Sequence, residues 1–325
     1  MSEVVVSTRI RLARNLSDFS FPVRMTAKEK LELCNKVSEV AKGILDFDRI
    51  DMQNLTKTQA VSLVEQHLIS PEFISEPNGK TLLLSKDKTV SIMLNEEDHI
   101  RLQIIKSGLC LKEAYEIADE IDTKLSEELN FAFSEKLGYL TQCPTNLGTG
   151  MRASVMLHLP ALQKGRAVSR IASNLSKLGL TIRGIYGESS EPLGAMYQLS
   201  NQVSLGISER SAIDNLNNIA SQLATQEIKA RDRILSDIEI VDTVCRSLGI
   251  LKTARLINHN EAMSLLSNVR LGVAQKILES LSLESIDKLI CEIQPANILE
   301  RYKDEELTVQ QRDIRRADYL REKLN

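Results

Sequence analysis

Two arginines near the start of the chain, Arg9 and Arg11, have the type and spacing to bind phosphate. Residues 4–10 are rich in β-branched side chains, which predicts a strand, and residues two apart on a strand project from the same face. Two guanidinium forks on one face could bind phosphate oxygens bidentately without losing their protons. A solvent-exposed basic strand face has the same spacing, so this segment alone leaves both interpretations open.

A second candidate segment, residues 95–101, has the sequence NEEDHIR and follows an apolar stretch that predicts a strand. It brings three carboxylates, a histidine and an arginine together within seven residues. A carboxylate such as Glu97 at a strand end could align a guanidinium group through paired hydrogen bonds and accept its proton. A solvated turn is the alternative interpretation of such a run.

Two loop segments add further candidates. Residues 141–152, TQCPTNLGTGMR, combine Cys143 with glycines that would let the backbone approach a ligand closely. A thiolate held there by neighbouring cations could pair with a guanidinium group. Residues 183–190, RGIYGESS, place glycines on both sides of a tyrosine before the carboxylate of Glu188, which is typical of a mobile lid. The alternatives are a buried structural cysteine at a tight turn and a plain surface loop.

Composition limits the class of protein. The 325 residues are 42% apolar and 26% charged, and a net charge of −3 gives no electrostatic case for nucleic-acid binding. The five cysteines are widely spaced with no C-x-x-C pair, so we expect no metal site and a reducing compartment. The N-terminal valine run is too short for a secretory signal, and no window reaches the ~20 apolar residues of a membrane helix. We therefore expect a cytoplasmic protein.

The periodicity predicts an α+β protein. Helices are expected over residues 26–44, 55–67, 113–129 and 166–178, and strands over 4–10, 80–84, 89–94, 154–159 and 180–186. After Ser208, a candidate helix cap, strand signals nearly disappear and apolar residues recur at helical spacing. We expect one domain over residues 1–229 and a helical C-terminal domain over 230–325, with the boundary inside a charged, continuous helix.

Neither common ATP-binding machinery is present, because the chain lacks a G-x-x-x-x-G-K-[ST] loop and the Asp-Phe-Gly set of ordinary protein kinases. The chain instead resembles the phosphagen (guanidino) kinases in five segments that follow that family's order: STRIRLARNL, FPV, NEEDHIR, CPTNLGT followed by xxRAS, and RGIYGE. The resemblance covers residues 4–230. It implies a catalytic domain of largely antiparallel sheet flanked by helices, with ATP and Mg²⁺ used to phosphorylate a guanidinium group.

Within this family the chain is most similar to the bacterial protein-arginine kinases. Free-guanidino kinases carry a helical domain ahead of the S-T-R-x-R strand, which begins here within the first ten residues. The bacterial branch has a helical C-terminal extension with an RDxxRA motif, matched by residues 312–317. The resemblance therefore implies protein substrates with exposed arginines. A free-arginine kinase and a catalytically silent phosphoarginine-binding adaptor are the alternatives.

The resemblance also implies roles for individual residues. The ATP phosphates would be bound at Ser7, Arg9, Arg11, Arg101, Arg152 and Arg183. Glu97 and Glu188 would hold the acceptor guanidinium beside Cys143, and Glu97 would remove its proton. Arg312, Asp313 and Arg316 would bind phosphoarginine in a regulatory role, although residues 310–323 are also typical of a charged amphipathic terminal helix. Met156 stands where the free-arginine kinases usually have a histidine near the nucleotide.

Partners and a cellular role follow from the same resemblance alone. It implies that the chain marks proteins for degradation by a Clp-type ATPase or inactivates a heat-shock repressor. It further implies that a zinc-binding protein activates the chain and that the chain forms a homodimer. The C-terminal domain would regulate the activity or form the dimer contact.

Overall fold

The computed structural model describes residues 1–185, 192–234, 237–303 and 306–325, so Glu188 lies outside the described residues. The strands are β1 (Val5–Arg14), β2 (Phe47–Asp51), β3 (Thr81–Ser85), β4 (Val90–Leu94), β5 (Ile100–Ser107), β6 (Phe133–Ser134), β7 (Gly138–Tyr139), β8 (Met151–His158), β9 (Leu180–Gly184) and β10 (Met196–Asn201). The helices are α1 (Ala27–Lys42), α2 (Lys57–Glu65), α3 (Leu111–Glu128), α4 (Pro160–Lys164), α5 (Val168–Ser176), α6 (Glu209–Ile234), α7 (Ile238–Thr253), α8 (His259–Ala274), α9 (Leu283–Glu292), α10 (Pro295–Tyr302) and α11 (Val309–Leu324).

An eight-stranded sheet in the order β2-β3-β4-β5-β1-β8-β10-β9 forms the centre of the fold, and all its neighbouring strands are antiparallel. Strand β1 lies inside the sheet because alternate side chains, including Ile10 and Leu12, are apolar and fully buried. These side chains pack in one core with the apolar faces of α1, α3 and α6. Burying each of them stabilises the fold by ~1.5–3 kcal/mol. The other face of β1 is left for polar residues.

The C-terminal region is helical, as predicted. No strand follows β10 within the described ranges, and α7 to α11 enclose a second apolar cluster that includes Leu266, Ile293 and Leu320. These observations confirm the α+β class. Helix α6 continues through the predicted boundary at residues 229 and 230, and the division into two domains stays a prediction. Among the described helices, none combines the length and apolar composition that crossing a bilayer requires.

Three strands of the central sheet, β2, β5 and β10, are absent from the sequence-based predictions, as is the short pair β6 and β7. The polar run at residues 95–101 is typical of a turn, but β5 already begins at Ile100, so Arg101 is a strand residue. The strand β2, FDRID, escaped prediction because its sequence is mostly polar, which suits an edge strand with exposed residues at Asp48 and Arg49. By contrast, the predicted Thr26 cap of α1 is confirmed: its side chain accepts a hydrogen bond from the backbone nitrogen of Glu29.

Buried charges join the far end of β8 to α6. Arg231 is fully buried, and its Nε donates to Oε1 of Glu227 at 2.8 Å. Its Nη2 donates to the carbonyl oxygen of His158, the last residue of β8, at 2.9 Å. Both carboxylate oxygens of Glu227 also accept hydrogen bonds from the start of α4. The ion pair therefore connects three elements without exposure to water.

A second buried arginine, Arg270, joins the C-terminal helices to the residues around His158 at the end of β8. Nη1 of Arg270, on α8, donates to the carbonyl oxygen of Glu3 at 2.7 Å, and its Nε donates to Oδ1 of Asp287 at 2.6 Å. Nε2 of His158 lies 2.8 Å from Oγ of Ser267. Burial, followed by the charges of the two arginines, lowers the pKa of His158 well below its ordinary value, so this histidine is neutral.

Substitution of Arg231 tests the buried ion pair. Arg231→Ala leaves the Glu227 carboxylate buried without its cation, so we expect a loss of about 3–5 kcal/mol in the free energy of unfolding, measured by denaturant titration. Arg246 forms an ion pair with Asp242 on the exposed surface of α7, and Arg246→Ala serves as the control. Equal unfolding midpoints for the two variants would contradict the structural importance of the buried pair.

Candidate active site

The strand register places five arginines on one face of the central sheet. Directly paired residues on adjacent antiparallel strands share a face, and Arg11 pairs with Arg152 across β1 and β8. Arg101 pairs with Ala13, two residues beyond Arg11, so it shares that face as well. Arg183 on β9 lies on this face too, because β9 pairs with β10 and β10 pairs with β8 in the same alternating register. The arginine face, as it is called below, comprises Arg9, Arg11, Arg101, Arg152 and Arg183.

The arginine face holds its positive charges close together. Burial, followed by the charges of Arg101 and Arg152, lowers the pKa of Arg9 to about 10. Burial and the neighbouring guanidinium groups lower the pKa of Arg11 well below its ordinary value. Burial, then Arg183 and Arg101, also lowers the pKa of Arg152. Burial is the largest cause of each shift and the neighbouring guanidinium groups add to it, so an anion bound to this face would meet several positive charges.

Two donors on the arginine face are unpaired. Arg9 donates to Oε1 of Gln198, and Nη2 of Arg152 donates to Oγ of Ser200 at 3.2 Å. The Nε atoms of Arg11 and Arg152, however, are buried and have no hydrogen-bond partner among the described residues. Buried donors are nearly always paired in folded proteins, so these two atoms indicate a position for an acceptor. Phosphate oxygens suit guanidinium forks in both charge and geometry.

Arg101 forms an ion pair with Glu96. Oε1 of Glu96 also accepts a hydrogen bond from Oγ of Ser70 at 2.6 Å. Burial acts to raise the pKa of Glu96, but Arg101 and then Ser70 outweigh it and hold that pKa below its ordinary value. Glu96 is therefore a fixed anion that orients Arg101, and it is a poor proton acceptor.

Glu97, the next residue, has a different electrostatic environment. Its side chain lies at the exposed rim of the site, with Nδ2 of Asn146 located 3.5 Å from its Oε2. Partial burial of the carboxylate, followed by the charges of Asp98 and Glu96, raises the pKa of Glu97, although a hydrogen bond with Cys143 opposes the shift. A raised pKa makes Glu97 the stronger base of the two neighbouring glutamates.

Asp98 fixes the turn that presents Glu97. Its Oδ1 accepts hydrogen bonds from Nδ2 of Asn15 at 2.6 Å and from the backbone nitrogen of Gln142 at 2.7 Å. Asn15 follows directly after β1, and Gln142 precedes Cys143. A single buried carboxylate thus joins the end of the arginine strand, the carboxylate turn and the cysteine loop.

The loop that carries Cys143 is held from its other side by Ser204. Oγ of Ser204 lies 2.8 Å from the carbonyl oxygens of both Thr145 and Leu147. Gly148 has φ +107°, and a Cβ atom at this position would lie 2.3 Å from the carbonyl oxygen of Ser204. Only glycine fits this approach. Within the loop, Sγ of Cys143 lies 3.0 Å from Oγ1 of Thr145.

Two adjoining pockets lie beside these residues. The first has a volume of about 140 Å³ and is lined by the carboxylate turn and three arginines, namely Glu96, Glu97, Asp98, Arg11, Arg101 and Arg152, together with Thr145 and Asn146. The second, of about 200 Å³, is lined by Arg183 and Arg152 and shares Thr145 and Asn146 with the first. An anion bound at Arg152 would therefore adjoin any group that occupied the first pocket beside Glu97.

His67 is a candidate that the sequence reasoning missed. It follows the end of α2 with a left-handed φ of +61°. Burial, followed by the charge of Arg9, lowers the pKa of His67 to about 4, so its ring is neutral at physiological pH. No motif surrounds this histidine in the sequence, and only the fold brings it to the arginine face.

The remaining predicted nucleotide residues lie on the same sheet. Ser7 pairs directly with Met156 across β1 and β8, two residues from Arg9 on β1. Arg183 is exposed on β9. The predicted lid carboxylate, Glu188, lies outside the described residues.

The predicted regulatory residues lie on α11, remote in sequence from the arginine face. The guanidinium group of Arg316 is buried and donates to the carbonyl oxygens of Ile293 and Ile257 and to Oδ1 of Asp313. Arg312 is half-buried, and its Nε is buried with no hydrogen-bond partner among the described residues. Arg316 therefore packs as part of the helical core, while Arg312 retains a donor for a ligand.

Family comparisons agree with this geometry. Residues 29–230 match the model of the ATP:guanido phosphotransferase C-terminal catalytic domain. The chain belongs to this family. Residues 237–325 match the model of the protein-arginine kinase McsB C-terminal domain. The family resemblance seen in the short motifs is thereby confirmed over most of the chain.

Relatives and solved structures extend the similarity. The protein-arginine kinase of Clostridium acetobutylicum is 43% identical, covering 99% of this chain and 96% of its own. That of Halothermothrix orenii is 45% identical, covering 99% and 93%. A crystal structure of lombricine kinase matches with a TM-score of 0.62 and 25% identity, covering 73% of this chain and 68% of that one. The duplicated taurocyamine kinase from Schistosoma mansoni with bound transition state analog components gives a TM-score of 0.63 and 26% identity over 94% of this chain and 40% of that one.

Replacing Gly148 tests the close approach that holds the cysteine loop. We expect Gly148→Ala to lower kcat/KM for phosphoryl transfer by at least about tenfold, because the new Cβ would displace the loop from Ser204. Gly108→Ala is the matched control, since Gly108 also has a positive φ, of +74°, but no atom within 4 Å of the added Cβ. Steady-state kinetics of both variants against the unmodified chain would decide the point, and equal kcat/KM values would show that the approach is unimportant.

Proposed function

We propose that this chain transfers the γ-phosphoryl group of ATP to the guanidinium group of arginine residues in proteins. The observation that carries the proposal is the pocket in which Arg11, Arg101 and Arg152 adjoin Glu97. Donors for a polyphosphate and a base for a guanidinium group meet there. The relatives named protein-arginine kinase, which match 99% of the chain, support a protein as the acceptor.

The arginine face would bind the nucleotide. Arg11 and Arg152 would direct their unpaired Nε donors to phosphate oxygens, and Arg101 would be held in place by Glu96. Ser7, Arg9 and Arg183 would extend the same surface on either side. His67 would contribute a neutral ring beside Arg9, which adds a hydrogen-bonding group without further positive charge.

Mg²⁺ fits this arrangement as a companion of ATP. No group of three or more His, Cys, Asp or Glu side chains in the described ranges could cage a metal ion. Mg²⁺ commonly keeps several waters and takes substrate phosphates as ligands, so phosphate oxygens held by Arg11, Arg101 and Arg152 would supply its coordination. When bound, it would neutralise part of the phosphate charge.

The acceptor guanidinium would lie in the pocket beside Glu97. Arginine is a poor nucleophile because its pKa exceeds 12, so one nitrogen must lose a proton as it attacks phosphorus. The proton would pass to the Glu97 carboxylate while the new N–P bond forms and the bond from phosphorus to the departing ADP oxygen breaks. The raised pKa of Glu97 favours this step. Positioning and charge compensation would supply most of the rate enhancement.

Cys143 and Glu188 would complete the acceptor site. Cys143 lies close enough to Glu97 to lower the pKa of that carboxylate, so its thiol would contact the guanidinium from the side of the cysteine loop. Glu188 follows β9 by four residues, and its carboxylate would hold the second edge of the guanidinium.

Arg312 and Asp313 would bind phosphoarginine as a regulatory ligand. The buried, unpaired Nε of Arg312 supports this role, because a phosphate oxygen would satisfy it. Arg316 would act by holding Asp313 in place through their ion pair.

Glu97→Gln tests the proposed base. This variant keeps the shape of the side chain but cannot accept a proton, so we expect nucleotide affinity to be retained and phosphorylation of protein arginines to fall by at least about a hundredfold. Glu128→Gln, on the exposed end of α3, is the control. The measurement is mass spectrometry of an unfolded arginine-rich protein incubated with MgATP, under mildly basic conditions that preserve phosphoarginine. Retained turnover would exclude Glu97 as the base, and label on free L-arginine alone would identify a free-arginine kinase.

Arg152→Ala tests the phosphate site. Loss of this fork removes charged hydrogen bonds, each worth about 1.5–3 kcal/mol, so we expect the Kd for ATP to rise about tenfold or more. Arg170, exposed on α5, provides the matched control variant Arg170→Ala. Calorimetric titration with MgATP measures both affinities, and an unchanged Kd in Arg152→Ala would remove this residue from the nucleotide site.

A further inference from the structure

Large apolar side chains are exposed in the two chain connections that contact the cysteine loop, which borders the candidate acceptor pocket. Phe21 and Val23 lie in the connection between β1 and α1, and Val23 is 76% exposed. Val203 and Leu205 lie in the connection between β10 and α6, and Leu205 is 48% exposed. These two pairs are called the apolar flanks below. Apolar residues grouped around a polar site commonly mark a binding surface.

The first flank is attached to the turn that carries Glu97. The backbone nitrogen of Val23 donates to Oε1 of Gln142 at 3.3 Å, directly beside Cys143. The carbonyl oxygen of Ser20 lies 2.8 Å from Nε2 of His99, two residues beyond Glu97. Phe21 and Val23 are therefore held beside the carboxylate turn and the cysteine loop.

The second flank is attached to the other end of the cysteine loop. Ser204, which separates Val203 from Leu205, contacts the carbonyl oxygens of Thr145 and Leu147. Its own carbonyl oxygen accepts a hydrogen bond from the backbone nitrogen of Thr149 at 3.0 Å. The loop from Cys143 to Gly148, which borders the acceptor pocket, thus has an apolar flank at each end.

We propose that the apolar flanks bind hydrophobic side chains on either side of the target arginine in an extended segment of the protein substrate. The inference rests on the proposed function and specifies its substrate class. A pocket of about 140 Å³ accommodates little more than one side chain, so the neighbouring residues of a polypeptide must lie on the surfaces that border it. In an extended segment these residues follow one another every ~3.3 Å, which brings several of them onto such surfaces.

The charges of the site favour the same occupant. Asp98 and, at the rim of the pocket, Glu97 provide negative charge for the arginine, while the flanking connections present apolar side chains. A basic residue between apolar residues in an extended chain matches this pattern.

Two synthetic peptides test the inference. Each contains a single arginine, placed between leucine and phenylalanine residues in one peptide and between serines in the other. We expect the unmodified chain to show a kcat/KM about tenfold higher for the apolar peptide, because burial of a few apolar side chains is worth about one to two kcal/mol after ordering costs. The double variant Val23→Ser/Leu205→Ser should lose this preference while its kcat/KM for the serine peptide stays unchanged.

Ile238→Ser/Ile250→Ser is the matched control, because these α7 side chains are also exposed, at 76% and 42%, and are distant in sequence from the cysteine loop. The control should keep the preference for the apolar peptide. Retention of the preference in Val23→Ser/Leu205→Ser, or its absence in the unmodified chain, would overturn the inference. A change in sedimentation of the flank variant without loss of preference would also overturn it, and would assign the flanks to a contact between copies of the chain. Failure of the unmodified chain to label either peptide would instead refute the proposed function.

Discussion

Repulsion between Arg11 and Arg152 is the constraint on which the rest of the site depends. The two side chains pair directly across β1 and β8, where like charges are destabilising, and both have lowered pKa values and unpaired Nε donors. Two like charges stay adjacent in a sheet only if the surrounding structure holds them in place. A bound polyphosphate would neutralise both charges, so the same arrangement would favour binding of a polyphosphate. The proposed function makes the arginine face a preorganised anion site, whose cost in stability would be offset by the core beneath it.

The surrounding contacts explain how that arrangement persists. Apolar side chains from the opposite face of β1 anchor the central strands, and the buried arginines Arg231 and Arg270 secure the far end of β8. At the near end, Asp98 joins β1 to the carboxylate turn and to the cysteine loop. The strand that carries Arg152 is thus held at both ends, which limits the freedom of the guanidinium group that adjoins both pockets.

Local sequence patterns predicted part of this arrangement, and the part that they could not predict depends on how the strands and helices pack together. Arg9 and Arg11 could be assigned to one face because a strand alternates with a period of two, and that period is visible in the residues themselves. Whether Arg101 and Arg152 join them depends on the register of β5 and β8 against β1, which no single segment encodes. His67 reaches the face only through the packing of α2. The contrast between Glu96 and Glu97 arises from the side-chain contacts of Glu96 with Arg101, which the strand β5 orients, and with Ser70, which lies elsewhere in the sequence. The motifs indicated the family, but the unequal basicity of the adjacent Glu96 and Glu97 could be recognised only from the folded structure.

A structure of the chain with MgADP, nitrate and a short arginine peptide would test the central claim most directly, because planar nitrate resembles the transferring phosphoryl group. We expect nitrate to lie between ADP and the peptide, with its oxygens in contact with Arg11, Arg101 or Arg152, and the peptide guanidinium to hydrogen-bond to Glu97. ADP bound away from the arginine face, or a peptide guanidinium that does not contact Glu97, would contradict it.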